Sequence, residues 1–123
     1  MKIIRQLTLL SAMAVASIFS TVKADVDPNF YVYLCIGQSN MEGQGTIEAQ
    51  DLTGISDRFL MMSAIDCDDR VAGEWRKALP PLCRCGTKLS PADYFGRAMT
   101  EALPDEVRVG VSNVAVAGCK IDL

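Results

Sequence analysis

Gly37-Gln38-Ser39-Asn40-Met41 places a serine directly behind the apolar run Phe30 to Ile36. A serine at such a position can project its hydroxyl into a cleft, and its backbone N–H can help hold an oxyanion if the chain turns sharply there. Gly118 follows a second apolar run and offers another N–H with no side chain in the way. A hydroxyl nucleophile beside two N–H donors is the equipment for acyl transfer. Gln38 and Asn40 flank the serine, and either can hold the turn or touch substrate. Trp75 sits in a polar stretch, where it either lines a site or covers a core edge. The plainest alternative for Ser39 is a helix-cap serine among ordinary turn residues.

The chain contains no histidine. A serine hydroxyl is a weak nucleophile without an adjacent base, and no imidazole is present here to take its proton. Lys120 is the one substitute near the second turn, and it would need burial to serve as a base. Five cysteines are present: Cys35, Cys67, Cys83, Cys85 and Cys119. The Cys83-Arg84-Cys85 spacing is tighter than that of the usual zinc ligands, so no metal and no cofactor are expected. Disulfides among these cysteines are the better reading for an exported chain, with the pairing left open. Cys35 lies within an apolar run and reads as a small core hydrophobe. Glu42, Asp66, Asp68 and Asp69 read as solvated loop charge.

The elements that position these residues are legible from pattern. Phe30 to Ile36 is apolar at every position and predicts a strand covered on both faces. Arg58 to Ile65 predicts a second strand, and Asp66 to Lys88 a loop. Ser90 as N-cap, Pro91 at the first helical position and Asp93 at the third predict a helix over 91–102. Tyr94, Phe95, Ala98, Met99 and Ala102 are its expected apolar face. Val107 to Ala117 predicts another buried strand. Glu101, Asp105 and Glu106 are expected on the surface. Strand, loop, helix, strand in this order implies an α/β layered fold with a parallel sheet. Sites in such sheets form at the carboxyl ends of strands, where Ser39 and Gly118 both stand.

The first 24 residues have the layout of a secretory signal peptide. Lys2 and Arg5 precede an apolar run, and Val22-Lys23-Ala24 suits cleavage after Ala24. Residues 25–123 are then the mature domain, exported to a periplasmic or extracellular space, with no stable membrane insertion. Removing 1–24 takes away Lys2, Arg5 and Lys23 and no acid, leaving 9 basic and 15 acidic residues and a net charge of -6. That balance argues against nucleic acid or an anionic membrane surface as partner.

Tyr33-Leu34-Cys35-Ile36-Gly37-Gln38-Ser39-Asn40-Met41-Glu42-Gly43 resembles the first block of the SGNH hydrolases, in particular the sialate O-acetylesterase and acetylxylan esterase branch. Further blocks follow in order: Glu74-Trp75 with Pro80-Pro81, then Pro91 to Arg97, then Asn113 to Ile121. The resemblance implies a three-layer α/β/α fold and removal of acetyl groups from carbohydrates. It maps Ser39 onto the nucleophile. It makes the N–H groups of Ser39 and Gly118 the oxyanion donors. Ala117 departs from the family's usual first glycine. The family continues with a Gln-Gly-Glu block and a late Asp-x-x-His block, and neither occurs in this sequence. The expectation is therefore a truncated esterase domain, roughly its first half, inactive alone and lacking a C-terminal half as partner. Two alternatives are an exported carbohydrate-binding or interaction module derived from the fold, and a chain that does not fold stably.

Overall fold

The computed structural model describes residues 25–120. The signal-peptide reading of residues 1–24 lies outside them. Strand β1 spans Phe30–Cys35, the short helix α1 Ser39–Glu42, and a 3-10 turn Ala49–Leu52. Strand β2 spans Phe59–Met62 and strand β3 Trp75–Lys77, followed by helix α2, Pro91–Ala102, and strand β4, Arg108–Asn113. The strands form one sheet in the order β1-β4-β2-β3. β4 runs parallel to both β1 and β2, and β3 adds an antiparallel edge to β2. The α/β reading holds. The stretch expected as loop contains β3, whose Trp75, Arg76 and Lys77 pair with Met62, Met61 and Leu60. β4 is shorter than the apolar run suggested, because the chain leaves regular pairing after Asn113.

Side chains alternate across a strand, so the register fixes what each face carries. Val109 and Val111 of β4 lie on one face, beside Tyr33 and Cys35 of β1 and Phe59 and Met61 of β2. Helix α2 covers this face, and Phe59, Met61, Val109 and Val111 are buried with Ala92 and Leu82. Ser90 caps α2 as expected. Its N–H donates to Asp93 Oδ2 at 2.9 Å, in a capping box that satisfies N-terminal donors. At the other end the Arg58 guanidinium donates to the carbonyls of Thr100, Pro104 and Val107, at 2.7, 3.0 and 2.7 Å.

The buried side of α2 is not the stripe the sequence suggested. Ala92, Asp93, Gly96 and Thr100 face the sheet and Met99 packs against the same core, while Tyr94, Phe95, Ala98 and Ala102 are exposed. The reason is close approach. A Cβ on Gly96 would lie 2.0 Å from the Phe59 ring, so a small-residue face lets the helix backbone rest on that aromatic. Phe95 packs edge-on against Tyr33, ring centroids 5.0 Å apart. The Tyr94 hydroxyl donates to Asp51 at 2.7 Å, and Arg97 lies over its ring.

The opposite face carries Val32 and Leu34 of β1, with Ile36 just beyond the strand, and these are exposed. The expectation that β1 is covered on both sides is corrected: within the described residues no helix lies over this face, and Val32 and Leu34 of β1 stay exposed. Phe30 and Trp75 meet edge-on over Gly110, where a Cβ would come within 2.7 Å of both rings. No helix among the described residues is long and apolar enough to cross a membrane.

Candidate active site

Ser39 begins α1 immediately beyond β1. The N-cap position belongs to Gln38, and no side chain caps this helix. Ser39 is therefore the first helical residue and not a cap, and its N–H is one of those a helix start leaves without an internal partner. Two bonds hold the turn: the Glu42 N–H donates to the Gln38 carbonyl at 2.8 Å and the Gly43 N–H to the Ser39 carbonyl at 3.1 Å. Gly37 allows the sharp entry, since a Cβ there would meet Met41 Cβ at 2.8 Å. Gly43, with φ +120°, allows the exit, where a Cβ would collide with the Lys88 carbonyl. Ser39 is half-buried, and Gln38 and Asn40 are exposed beside it.

The second turn runs alongside the first. The Val114 N–H donates to the Cys35 carbonyl at 3.0 Å and the Val116 N–H to the Gly37 carbonyl at 3.2 Å, so the two segments stay paired past the end of the sheet. Ser39 and Gly118 each lie two residues beyond that last bond. Gly118 has φ +72°, in a turn closed by the Cys119 N–H on the Val116 carbonyl at 3.2 Å. That left-handed conformation favours glycine. Ile36, Gly37 and Gln38 from one side and Val114, Val116, Cys119 and Lys120 from the other line one groove of about 580 Å³.

Trp75 is not part of this groove. Its ring packs against Phe30, the first residue of β1, whereas Ser39 follows the last. Lys120 lines the groove but is exposed, without the burial that use as a base requires.

Residues 29–123 match the family model of carbohydrate esterases described as sialic acid-specific acetylesterases. The chain belongs to this family. No solved structure matches it.

Several groups that hold the Ser39 and Gly118 turns escaped the sequence reading. Glu42 is buried and ion-paired with Arg84, not a solvated loop acid. Arg84 stands between Cys83 and Cys85, and Cys85 is bonded to Cys67, with Cα atoms 5.9 Å apart. The Ser39 turn is thereby tied to a cross-linked loop. Cys83 is buried and its thiol donates to the Ala115 carbonyl at 3.2 Å; burial pushes that thiol up despite the bond. Burial likewise raises Cys35. Asn113, at the end of β4, is fully buried and bonded to Met41 of the Ser39 turn and to Ala115 of the segment leading to Gly118. Its signal in the sequence was a polar amide inside an apolar run.

Proposed function

We propose that this chain is the nucleophile-bearing part of a carbohydrate O-acetylesterase of the sialate or acetylxylan type, exported and acting on an acetylated sugar. What supports this reading is the main-chain bond from Val116 to Gly37, which joins the segments leading to Ser39 and Gly118; their neighbours Gln38 and Cys119 line one groove. In this reading the Ser39 hydroxyl attacks the acetyl carbonyl. The N–H groups of Ser39 and Gly118 hold the oxyanion that forms. Collapse releases the sugar hydroxyl and leaves an acetyl-serine, which water then cleaves to acetate. Gln38 and Asn40 flank the attacking serine as contacts for the turn or the sugar.

Both steps need a base to take a proton and an acid to return it. The family's late Asp-x-x-His block supplies these, and the 123 residues contain no histidine. The base therefore belongs to further polypeptide that completes the domain. The chain alone is expected to hydrolyse an aryl acetate no faster than buffer. Hydrolysis well above buffer that Ser39→Ala abolishes would overturn the claim of inactivity. A fluorophosphonate that labels wild type at Ser39, but not the Ser39→Ala variant, supports an assembled nucleophile.

The missing histidine also favours a second reading, a non-catalytic exported module that kept part of the esterase fold. Retained binding of an acetylated sugar without any labelling would select it. Export itself is tested by the mass of the secreted product, expected to begin at Asp25.

A further inference from the structure

Asn113 is buried at the carboxyl end of β4. Its Nδ2 donates to the Met41 carbonyl of α1 at 2.7 Å, and its Oδ1 accepts from the Ala115 N–H at 3.2 Å. One side-chain amide thus touches the turn that carries Ser39 and the segment that leads to Gly118. Nδ2 also faces Ser90 Oγ at 3.4 Å.

The polarity of this network leaves one orientation for the amide. The Ser90 N–H can only donate, so the Asp93 Oδ2 it meets is an acceptor. That oxygen takes both the N–H and the hydroxyl of Ser90, at 2.9 and 3.0 Å. Ser90 has then given its single proton and can only accept from Asn113. The amide must turn its nitrogen to Ser90, which aims the same nitrogen at Met41 and the oxygen at Ala115. A buried amide held on both ends is costly to leave unpaired, so the arrangement resists rotation.

We infer that Asn113 is a positioning residue of this site: it locks the Ser39 turn to the Ala115–Gly118 segment, and Ser90 with Asp93 fixes its orientation. The inference rests on Ser39 and Gly118 being the reactive pair. Asn113→Asp keeps the shape but sets an acceptor against the Met41 carbonyl and Ser90. Ser90→Ala is milder, removing the acceptor that orients the amide while leaving the Met41 bond available. Thr100→Val is the control, since Thr100 is another buried polar residue on α2 whose hydroxyl bonds only the Gly96 carbonyl.

The test is ¹⁵N–¹H NMR of the whole chain with fluorophosphonate labelling alongside. In wild type the Asn113 side-chain amide is expected to exchange slowly with solvent. Both Asn113→Asp and Ser90→Ala are expected to move backbone signals at residues 39–43 and at 114–118 together, and Ser90→Ala to speed exchange of the amide. Thr100→Val should move neither set. Labelling of Ser39 in Asn113→Asp should slow roughly tenfold to a hundredfold. Signals at 39–43 that stay fixed in Ser90→Ala while its amide exchange is unchanged would overturn the inference, whether or not Asn113→Asp folds. Coupled shifts in a wild type that never labels would retain the lock and discard the nucleophile reading instead.

Discussion

The two faces of the sheet come from the same strands and meet opposite conditions. Under α2, Met61, Val109 and Val111 are wholly buried. On the other face Val32 is 53%, Leu34 61% and Ile36 63% exposed. A sheet in a layered α/β fold buries both faces, and contiguous exposed apolar surface marks an interaction site. The bare face adjoins the groove through Ile36, Val114 and Val116, and β1 has one edge without a partner strand among the described residues. The Ser39 turn is held through Asn113 and the Glu42–Arg84 pair, while Val32, Leu34 and Ile36 leave the other face open among the described residues.

The sharpest way to break this contrast is to cut equal side chains on the two faces. Met61→Ala is expected to lose about 2–5 kcal/mol of unfolding free energy, by lost transfer and the cavity left behind. Leu34→Ala is expected to change it by less than about 0.5 kcal/mol, as exposed substitutions do. Urea unfolding of both variants decides it: a similar loss at Leu34 would mean the bare face is covered in solution. A broad, non-cooperative melt of wild type would instead favour the chain that does not fold stably. Next in size is the Cys67–Cys85 cross-link, which closes a loop of 18 residues. Replacing both cysteines by serine is expected to cost about 3 kcal/mol through the freer unfolded chain. No change in the unfolding midpoint would refute it.

What could be read from the sequence divides along the same line. Helix α2 was legible to the residue, because Ser90, Pro91 and Asp93 are local signals that need no partner. The Ser39 and Gly118 turns were legible as the carboxyl ends of strands. Their pairing through Gly37 and Val116 was not, since it depends on strand order. Of the expected face of α2 Met99 does pack on the core, but Tyr94 and Phe95, the larger apolar groups, stay exposed because the helix docks through Gly96 onto Phe59. β3 was missed because three residues give too little periodicity. Phe30 to Ile36 does read as two-sided, and its sequence describes a burial that the described residues do not supply. Glu42 and Asn113 were passed over because a buried polar group is recognisable only once its partners are placed.

Glu42 tests how firmly the covered side holds the Ser39 turn. Its carboxylate is buried against Arg84, which keeps about a third of its side chain in solvent. Glu42→Gln leaves a partly exposed guanidinium with a neutral partner, so the expected loss is about 1–3 kcal/mol, less than for a wholly buried pair. Asp105 also pairs with an arginine, Arg58, but is fully exposed, and Asp105→Asn should leave stability unchanged within error. Equal effects from the two substitutions in chemical unfolding would remove the distinction.

The smallest effect belongs to Asp93, and its sign is what matters. Burial raises its carboxyl above the ordinary value of 3.8, and this outweighs the bonds from Ser90 that lower it. Its Oδ1 is buried with no hydrogen-bond partner. A carboxyl that binds its proton more tightly when folded than when unfolded makes stability fall as pH rises. The fall begins near 3.8, the unfolded value, and ends above the raised folded value. Asp27 behaves oppositely: the Arg108 guanidinium bonded to it lowers its carboxyl, so it supports folding above 3.8 and loses that support on acidification. Unfolding of wild type and Asp93→Asn across the acidic range separates the two groups. The stability difference, wild type minus variant, is expected to decrease as pH climbs from about 3.8. A difference that grows over that interval would mean the Ser90 bonds outweigh burial. The network beneath the Ser39 turn would then be held by charge, and acidification would loosen it.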